Sequence, residues 1–276
     1  FTSKNRWSII VRPHDMEEMT KDNPPPIVEF HFSSHDLNHE ISFKPHPKME
    51  MIAHVPELWG DKLFDLCSNN EEILSRSIEN LNFFLDKMRG IRKSFGATPN
   101  KMKIVVHPGG MSYAGFVNEA EKKEMYKILA SALKKINQKD VELLLENLPP
   151  YPWYKGGQWF SNVFMDADEI KEFCSKNKTN VCYDVSHAQL YCNYAKKDPI
   201  KSFKTVSKFV KHIHMSDGIG TDGEGIQIDE GDVPFKELVP EILKVKPSIS
   251  PEIWMGHRNK GEGMWIGLNR LKKYGF

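Results

Sequence analysis

Val181-Cys-Tyr-Asp184-Val-Ser-His187 is an apolar run that turns polar where a strand should stop. A carboxylate and an imidazole three residues apart at a strand exit can face one pocket. Alone, the pair is a common surface-turn pattern; its weight comes from three other stretches. Glu146 falls at the end of Val141–Asn147, His214 near the end of Val210–Met215, and Glu252 within Ile249–Trp254. Alternate strand residues point to opposite faces. If Leu145, Tyr183, Ile213 and Ile253 pack outward on helices, then Glu146, Asp184, His214 and Glu252 point inward. Converging carboxylates repel and are costly to desolvate, and a divalent cation removes that difficulty. Each acid singly reads as well as a lysine partner or a rim group; together with His214 they read as a hard, oxygen-rich metal site. Mn²⁺ is the expected ion, with Mg²⁺, Zn²⁺ and Co²⁺ as alternatives.

A second tier stands beside the quartet. His54 and His107 obey the same inward rule, and with Glu146 they could hold a second metal or bind substrate. Glu29 and His31 alternate with Val28, Phe30 and Phe32 and are candidate pocket residues. His187 reads as a substrate group or a neighbour of the ligands. His14, His35, His39, His46 and His257 carry no pattern and read as surface or loop histidines.

These residues need a frame. Eight strand-like stretches are legible: Trp7–Arg12, Ile27–Ser33, Met49–Val55, Lys103–His107, Val141–Asn147, Asn180–Val185, Val210–Met215 and Ile249–Trp254. Helical patterns separate most of them. Ser68-Asn-Asn-Glu71 reads as a capping box opening a long helix through Ile73, Ile78, Leu81, Leu85 and Met88. Glu119–Asn137, a helix opening at Asp166, another at Asp198-Pro199, Pro234–Val245 and Gly263–Lys273 follow. The first two connections are short and irregular. Alternating strands and helices predict a parallel (β/α)8 barrel, which places active sites at the C-terminal strand ends.

Bulk properties narrow the function. The 276 residues suit one large domain, residues 1–276. A net charge of +1 gives no support to a nucleic-acid binder. No apolar run is long enough to span a bilayer, and no secretory leader pattern is present. Cys67, Cys174, Cys182 and Cys192 form no C-x-x-C pair and read as reduced thiols. The expected location is cytoplasmic. A first residue Phe1 suggests a piece of a longer polypeptide.

With its quartet on strands five to eight, the chain resembles the xylose-isomerase-like TIM-barrel superfamily of sugar isomerases, epimerases and endonuclease IV-type enzymes. A longer set of motifs is similar to one group within it. These are Ile27–Asp36, His54-Val-Pro-Glu-Leu-Trp59, Leu63–Cys67, Pro149-Pro-Tyr-Pro-Trp153 with Gly156-Gly-Gln158, Asp222-Gly-Glu-Gly225 and Glu252-Ile-Trp254. That group is the sugar-phosphate-isomerase-like barrels fused to sialic-acid-synthase-type proteins of nonulosonic acid and surface-glycan synthesis. The resemblance implies a sugar or sugar phosphate as substrate and a synthase domain in the same polypeptide; a homo-oligomer is compatible with it. The endonuclease IV pattern fits less well, because Ser216–Gln227 lacks the Asp-x-His that its third metal needs.

The expected reaction is isomerisation or epimerisation by proton transfer through an enediolate. Glu146, Asp184, His214 and Glu252 would hold the metal, and Glu146 and Glu252 would exchange the proton. His54, His107, His187, Asp217, Glu29, His31, Trp153 and Gln158 are the candidate substrate contacts. Pro149–Asn162 is expected to cover a sugar face, and Asp222–Gly225 to be a second lid or a plain turn. A metal-dependent phosphodiesterase and a non-catalytic sugar-binding barrel are the alternatives.

Overall fold

A computed structural model describes residues 3–39 and 43–276. Eight parallel strands close on themselves: β1 (Arg6–Val11), β2 (Ile27–His31), β3 (Glu50–His54), β4 (Met102–Val106), β5 (Val141–Glu146), β6 (Asn180–Asp184), β7 (Val210–Met215) and β8 (Ser248–Pro251). Each strand pairs with its neighbours in sequence, and β8 closes onto β1 at Trp7 and Ile249. The expected (β/α)8 barrel is therefore present.

Around it run α1 (Met16–Thr20), α2 (Glu71–Ile91), α3 (Glu119–Leu133), α4 (Ala167–Asn177), α5 (Val185–Ala195), α6 (Pro199–Val206), α7 (Phe235–Val245) and α8 (Arg258–Leu271). The first two connections are reduced as expected among the described residues: α1 has five residues, and the one element described between β2 and β3 is a 3-10 turn, Asp36–Asn38. The apolar stripe of α2 buries Ile78, Leu81, Phe84, Leu85 and Met88 against the barrel. Among the described residues, no helix is long and apolar enough to cross a membrane.

Three local expectations are corrected. The α2 cap is Asn70, whose side chain accepts from the Glu72 and Ile73 amides, rather than a Ser68–Glu71 box. Strand β8 stops at Pro251, which has no N–H for the ladder, so Glu252 stands in the first loop position. The strand expected over Asn180–Val185 stops at Asp184, and Val185 opens the helix α5, which is not among the helices expected from the sequence. Its buried face includes Ser186 and Gln189, so the apolar period that announces a helix is weak there.

The barrel interior is split in two. Ile27, Ile52, Val105, Leu144 and Cys182 form a buried apolar cluster from strands β2 to β6. The other wall is polar. Ser8 from β1, His212 from β7, and Ser248 and Ser250 from β8 are buried and joined by hydrogen bonds. Lys103 closes the lower end, donating to Lys211 O at 2.7 Å and to Ser248 Oγ at 2.9 Å.

Candidate active site at the C-terminal mouth

The alternation of β5 to β8 brings one ligand atom each from Glu146, Asp184, His214 and Glu252 within 4.8 Å of one another. His214 is fixed from both sides. Its Nε2 lies 2.8 Å from Glu29 Oε1, while its Nδ1 lies 3.0 Å from Glu146 Oε1 and 2.7 Å from Glu252 Oε2. Asp184 caps α5, its Oδ1 accepting the His187 amide at 2.6 Å. Asn147 clamps the same residue, accepting from Asp184 N at 2.8 Å and donating to Asp184 O at 2.9 Å. The position of Asp184 is thus set by backbone bonds between adjacent strand ends.

The electrostatics show how crowded the quartet is. Burial, reinforced by the charges of Glu252 and Glu146, raises the Asp184 carboxyl to about 7. Burial also opposes ionisation of Glu252, but His214 outweighs it and holds that carboxylate at about 2. Glu146 stays well below the usual range, because His214 and His107 overcome its burial. His214 is correspondingly raised well above an ordinary imidazole by surrounding acids despite its own burial. Protons on histidines thus balance the carboxylates. A divalent cation would take over that role, and the set of three carboxylates and one imidazole fits a hard ion. Glu252 Oε2 is buried and, despite its approach to His214 Nδ1, makes no hydrogen bond of good geometry; an ion would satisfy it.

A second imidazole pair surrounds the other oxygen of Glu146. His54 Nε2 lies 3.1 Å and His107 Nε2 3.2 Å from Glu146 Oε2. Glu57 stands 3.0 Å behind His107 Nδ1 and holds that imidazole up at about 9 against the effect of burial. His187 Nε2 faces Glu224 at 3.4 Å, and its Nδ1 bonds Asn147 O at 2.9 Å.

Above the quartet opens a cavity of about 360 Å³. His31, His107, Asp184, His187 and Glu252 line it from the barrel, and Trp153, Tyr154, Glu224 and Trp254 from the loops. The loop residues belong largely to two hairpins, Trp153–Tyr154 with Gly157–Gln158 and Asp217–Ile219 with Gly223–Ile226. The second is the segment expected to be a lid or a turn.

Several expected substrate contacts stand elsewhere. Glu29 is fully buried below the ligands, where His212 and His214 each bond one of its oxygens at 2.8 Å, so its role is to hold histidines. Asp217 is buried under its hairpin and accepts the Gly218, Gly231 and Val233 amides, which makes it a loop latch. Gln158 is exposed on the outer strand of its hairpin and does not line the cavity. His54 is buried against Glu146 rather than open to the cavity, and Glu146 itself is 1% exposed. Glu252, one third exposed in its side chain, is the quartet's most open acid.

Residues not singled out from the sequence also matter. Asn147, Glu57 and Glu224 position site groups, and His257 lines the cavity although it read as a loop histidine. Glu57 and Glu224 did lie inside quoted motifs. Their partners, however, come from distant strands and carry no local sequence signal.

The closed barrel defines a fold class, and comparison with known proteins agrees. The chain belongs to the xylose isomerase-like TIM barrel family, whose model matches residues 40–274. An uncharacterised protein of Methanocaldococcus jannaschii is 21% identical over 217 residues, covering 78% of this chain and 67% of that protein. A second from the same organism is 26% identical over 51% of this chain and half of its own length. Among solved structures, a D-tagatose 3-epimerase-like protein superposes with a TM-score of 0.63 at 16% identity, over 98% of this chain and all of the other. Endonuclease IV from Thermus thermophilus gives 0.61 at 15% identity, over 97% and 99%. At such identities the structural matches speak to the fold alone.

Proposed function

We propose that this chain is a divalent-metal-dependent isomerase or epimerase of a sugar or sugar phosphate. The observation that carries the reading is the convergence of Glu146, Asp184, His214 and Glu252 at the floor of a monosaccharide-sized cavity, with Glu252 Oε2 left without a hydrogen bond. Sugar epimerases among the structural neighbours support it.

The four residues would hold one ion, Mn²⁺ by preference. When bound, such an ion supplies Lewis acidity that polarises a carbonyl and acidifies the neighbouring C–H. Glu252 faces the cavity and would move that proton, with the buried Glu146 as the second carboxylate beside it. His107 and His187, backed by Glu57 and Glu224, donate to hydroxyls. Trp153 offers an aromatic face at the mouth, and the two hairpins limit water access. The finer assignment is to nonulosonic acid and surface-glycan synthesis, beside a synthase domain of the same polypeptide. It rests on motifs such as His54–Trp59 and Pro149–Trp153.

The test is elemental analysis of protein purified without chelator, beside the Glu146→Gln/Glu252→Gln double variant, followed by a sugar and sugar-phosphate conversion screen. About one ion per chain, lost in the variant, together with carbonyl-position exchange, is the expected result. No ion under any loading condition would sink the mechanism and favour a sugar-binding scaffold. The approach of His54 and His107 to one oxygen of Glu146 favours one second reading, a two-metal phosphodiesterase. Two ions per chain with cleavage of abasic-site DNA would move the assignment there.

A further inference from the structure

The charges on the cavity wall are unevenly committed. Four carboxylates line it and each faces an imidazole: Glu57 faces His107, Glu224 and Asp184 face His187, and Glu252 faces His214. Among the described residues that line it, Arg12 is the one arginine and there is no lysine. Among the described residues, no ion pair or side-chain hydrogen bond engages that guanidinium. Its backbone, in contrast, is fixed. The Arg12 amide donates to Asp15 Oδ1 at 2.7 Å, and its carbonyl accepts from the Asp15 and Met16 amides at 3.1 and 3.2 Å. A rigid stem thus carries an uncommitted cationic head at the rim.

A second potential donor stands in the same sector. Arg12 follows β1, which pairs with β8, so it shares a sector of the mouth with the loop after Glu252. His257 of that loop also lines the cavity. Burial, with Arg12, Arg258 and His14 close by, keeps His257 below its ordinary value, and Asp15 opposes them. Asp15 is already occupied by the Arg12 amide. The acids Glu57 and Glu224 come from the loop after β3 and the hairpin after β7, and each faces a histidine.

We infer that Arg12, with His257 beside it, is an anion subsite, and that the substrate is a sugar bearing a phosphate or carboxylate at the end remote from its carbonyl. The inference rests on the sugar-isomerase reading and narrows it. A guanidinium recognises both oxyanions through paired N–H donors, and a neutral sugar leaves it desolvated without compensation. In the bound substrate the anion lies over the β1–β8 rim, and the carbonyl end reaches Asp184 and Glu252.

Calorimetry on the full, Mn²⁺-loaded chain tests this with two matched pairs, ribulose 5-phosphate against ribulose and glucuronate against glucose. One anionic member should bind about 10- to 100-fold more tightly than its neutral partner, the range of a charge-assisted hydrogen bond. Which pair shows the preference identifies phosphate or carboxylate as the recognised anion. In R12Q that preference should collapse to within about threefold, and R12K should restore part of it as a point charge without the fork. The exposed K127Q variant controls for nonspecific charge loss and should retain the full preference. Equal affinity within both pairs, or an undiminished preference in R12Q, overturns the subsite. Such a result with Mn²⁺ still bound leaves the metal-site reading standing. An Arg12-dependent preference in a chain that binds no Mn²⁺ keeps the subsite and removes the metal reading.

Discussion

Glu29 Oε1 lies 2.8 Å from His214 Nε2, on the side of the ring away from Glu146 and Glu252. This carboxylate selects which imidazole nitrogen meets the site, because Nε2 is held and Nδ1 is left to the ligands. Outer partners of this kind set ligand orientation and basicity. Glu29→Gln should therefore weaken Mn²⁺ affinity about 10- to 100-fold with Glu146, Asp184 and Glu252 intact. Titration followed by Mn²⁺ electron paramagnetic resonance reads this directly, and an unchanged affinity would remove Glu29 from the site.

Asn147 and Asp184 exchange two hydrogen bonds at 2.8 and 2.9 Å across adjacent strand ends. Asn147→Ala removes the acceptor of the buried Asp184 amide and one donor to its carbonyl. The expected loss is about 1–3 kcal/mol of stability, accompanied by weaker metal binding because Asp184 loses its clamp. Asn147→Asp keeps one acceptor and should fall between the two in urea denaturation. Wild-type stability in the alanine variant would refute the clamp.

Asp65 supplies a pH dependence away from the ligands. Burial raises its carboxyl from 3.8 to about 6, against the Cys67 and Gly110 amides that both donate to Oδ1 at 2.8 Å. The folded state therefore prefers the protonated acid. Its contribution is most favourable below about pH 4, declines from there to pH 6, and is fully lost above. Asp65→Asn keeps the acceptor and removes the charge. It should raise stability by about 1 kcal/mol at pH 8, discounted for the residue's partial exposure, and by little at pH 4. Thermal melts at the two pH values check the sign; a stabilisation larger at pH 4 would reverse the argument.

Gly109 follows His107-Pro108 and has φ +86. A Cβ there would lie 2.6 Å from Asp65 Cα, so backbone would have to move. Gly109→Ala combines that clash with left-handed strain, about 1–3 kcal/mol from the strain alone. Because the loop carries His107, the His107–Glu146 contact should loosen as well. A histidine-resolved NMR spectrum would show the His107 resonance shifting with the melt.

The sequence discloses the barrel because its strands are short, apolar and separated by capped helices. It discloses the inward quartet because a period of two leaves no freedom once the outward face is known. Glu252 was legible even though β8 ends at Pro251, since the alternation carries on for one more residue. What escaped was depth. Glu29 and His31 share a face of β2, and the same rule places both inward, but it cannot say that Glu29 lies under the ligands while His31 meets the cavity. Asp217 and Gln158 were misplaced for a related reason. Hairpin residues point according to tertiary packing of the loop, for which no period exists. Helix α5 was hidden because a helix packed beneath hairpins, with Ser186 and Gln189 buried, lacks a clean apolar stripe.

The divided barrel interior has a consequence for how this protein can change. The wall of Ile27, Ile52, Val105 and Leu144 is constrained by volume alone, so exchanges among aliphatic residues that conserve volume are tolerated there. The opposite wall is an address system. Ser8, Ser250, Glu29, His212 and Ser248 each name a specific neighbour, and altering one miswrites the next. Drift will accumulate on the greasy side, and descendants that keep His214 will inherit the hydroxylated side as a unit. A designer wishing to retune the ion without touching a ligand would begin at Ser250, one hydrogen bond removed from Glu29.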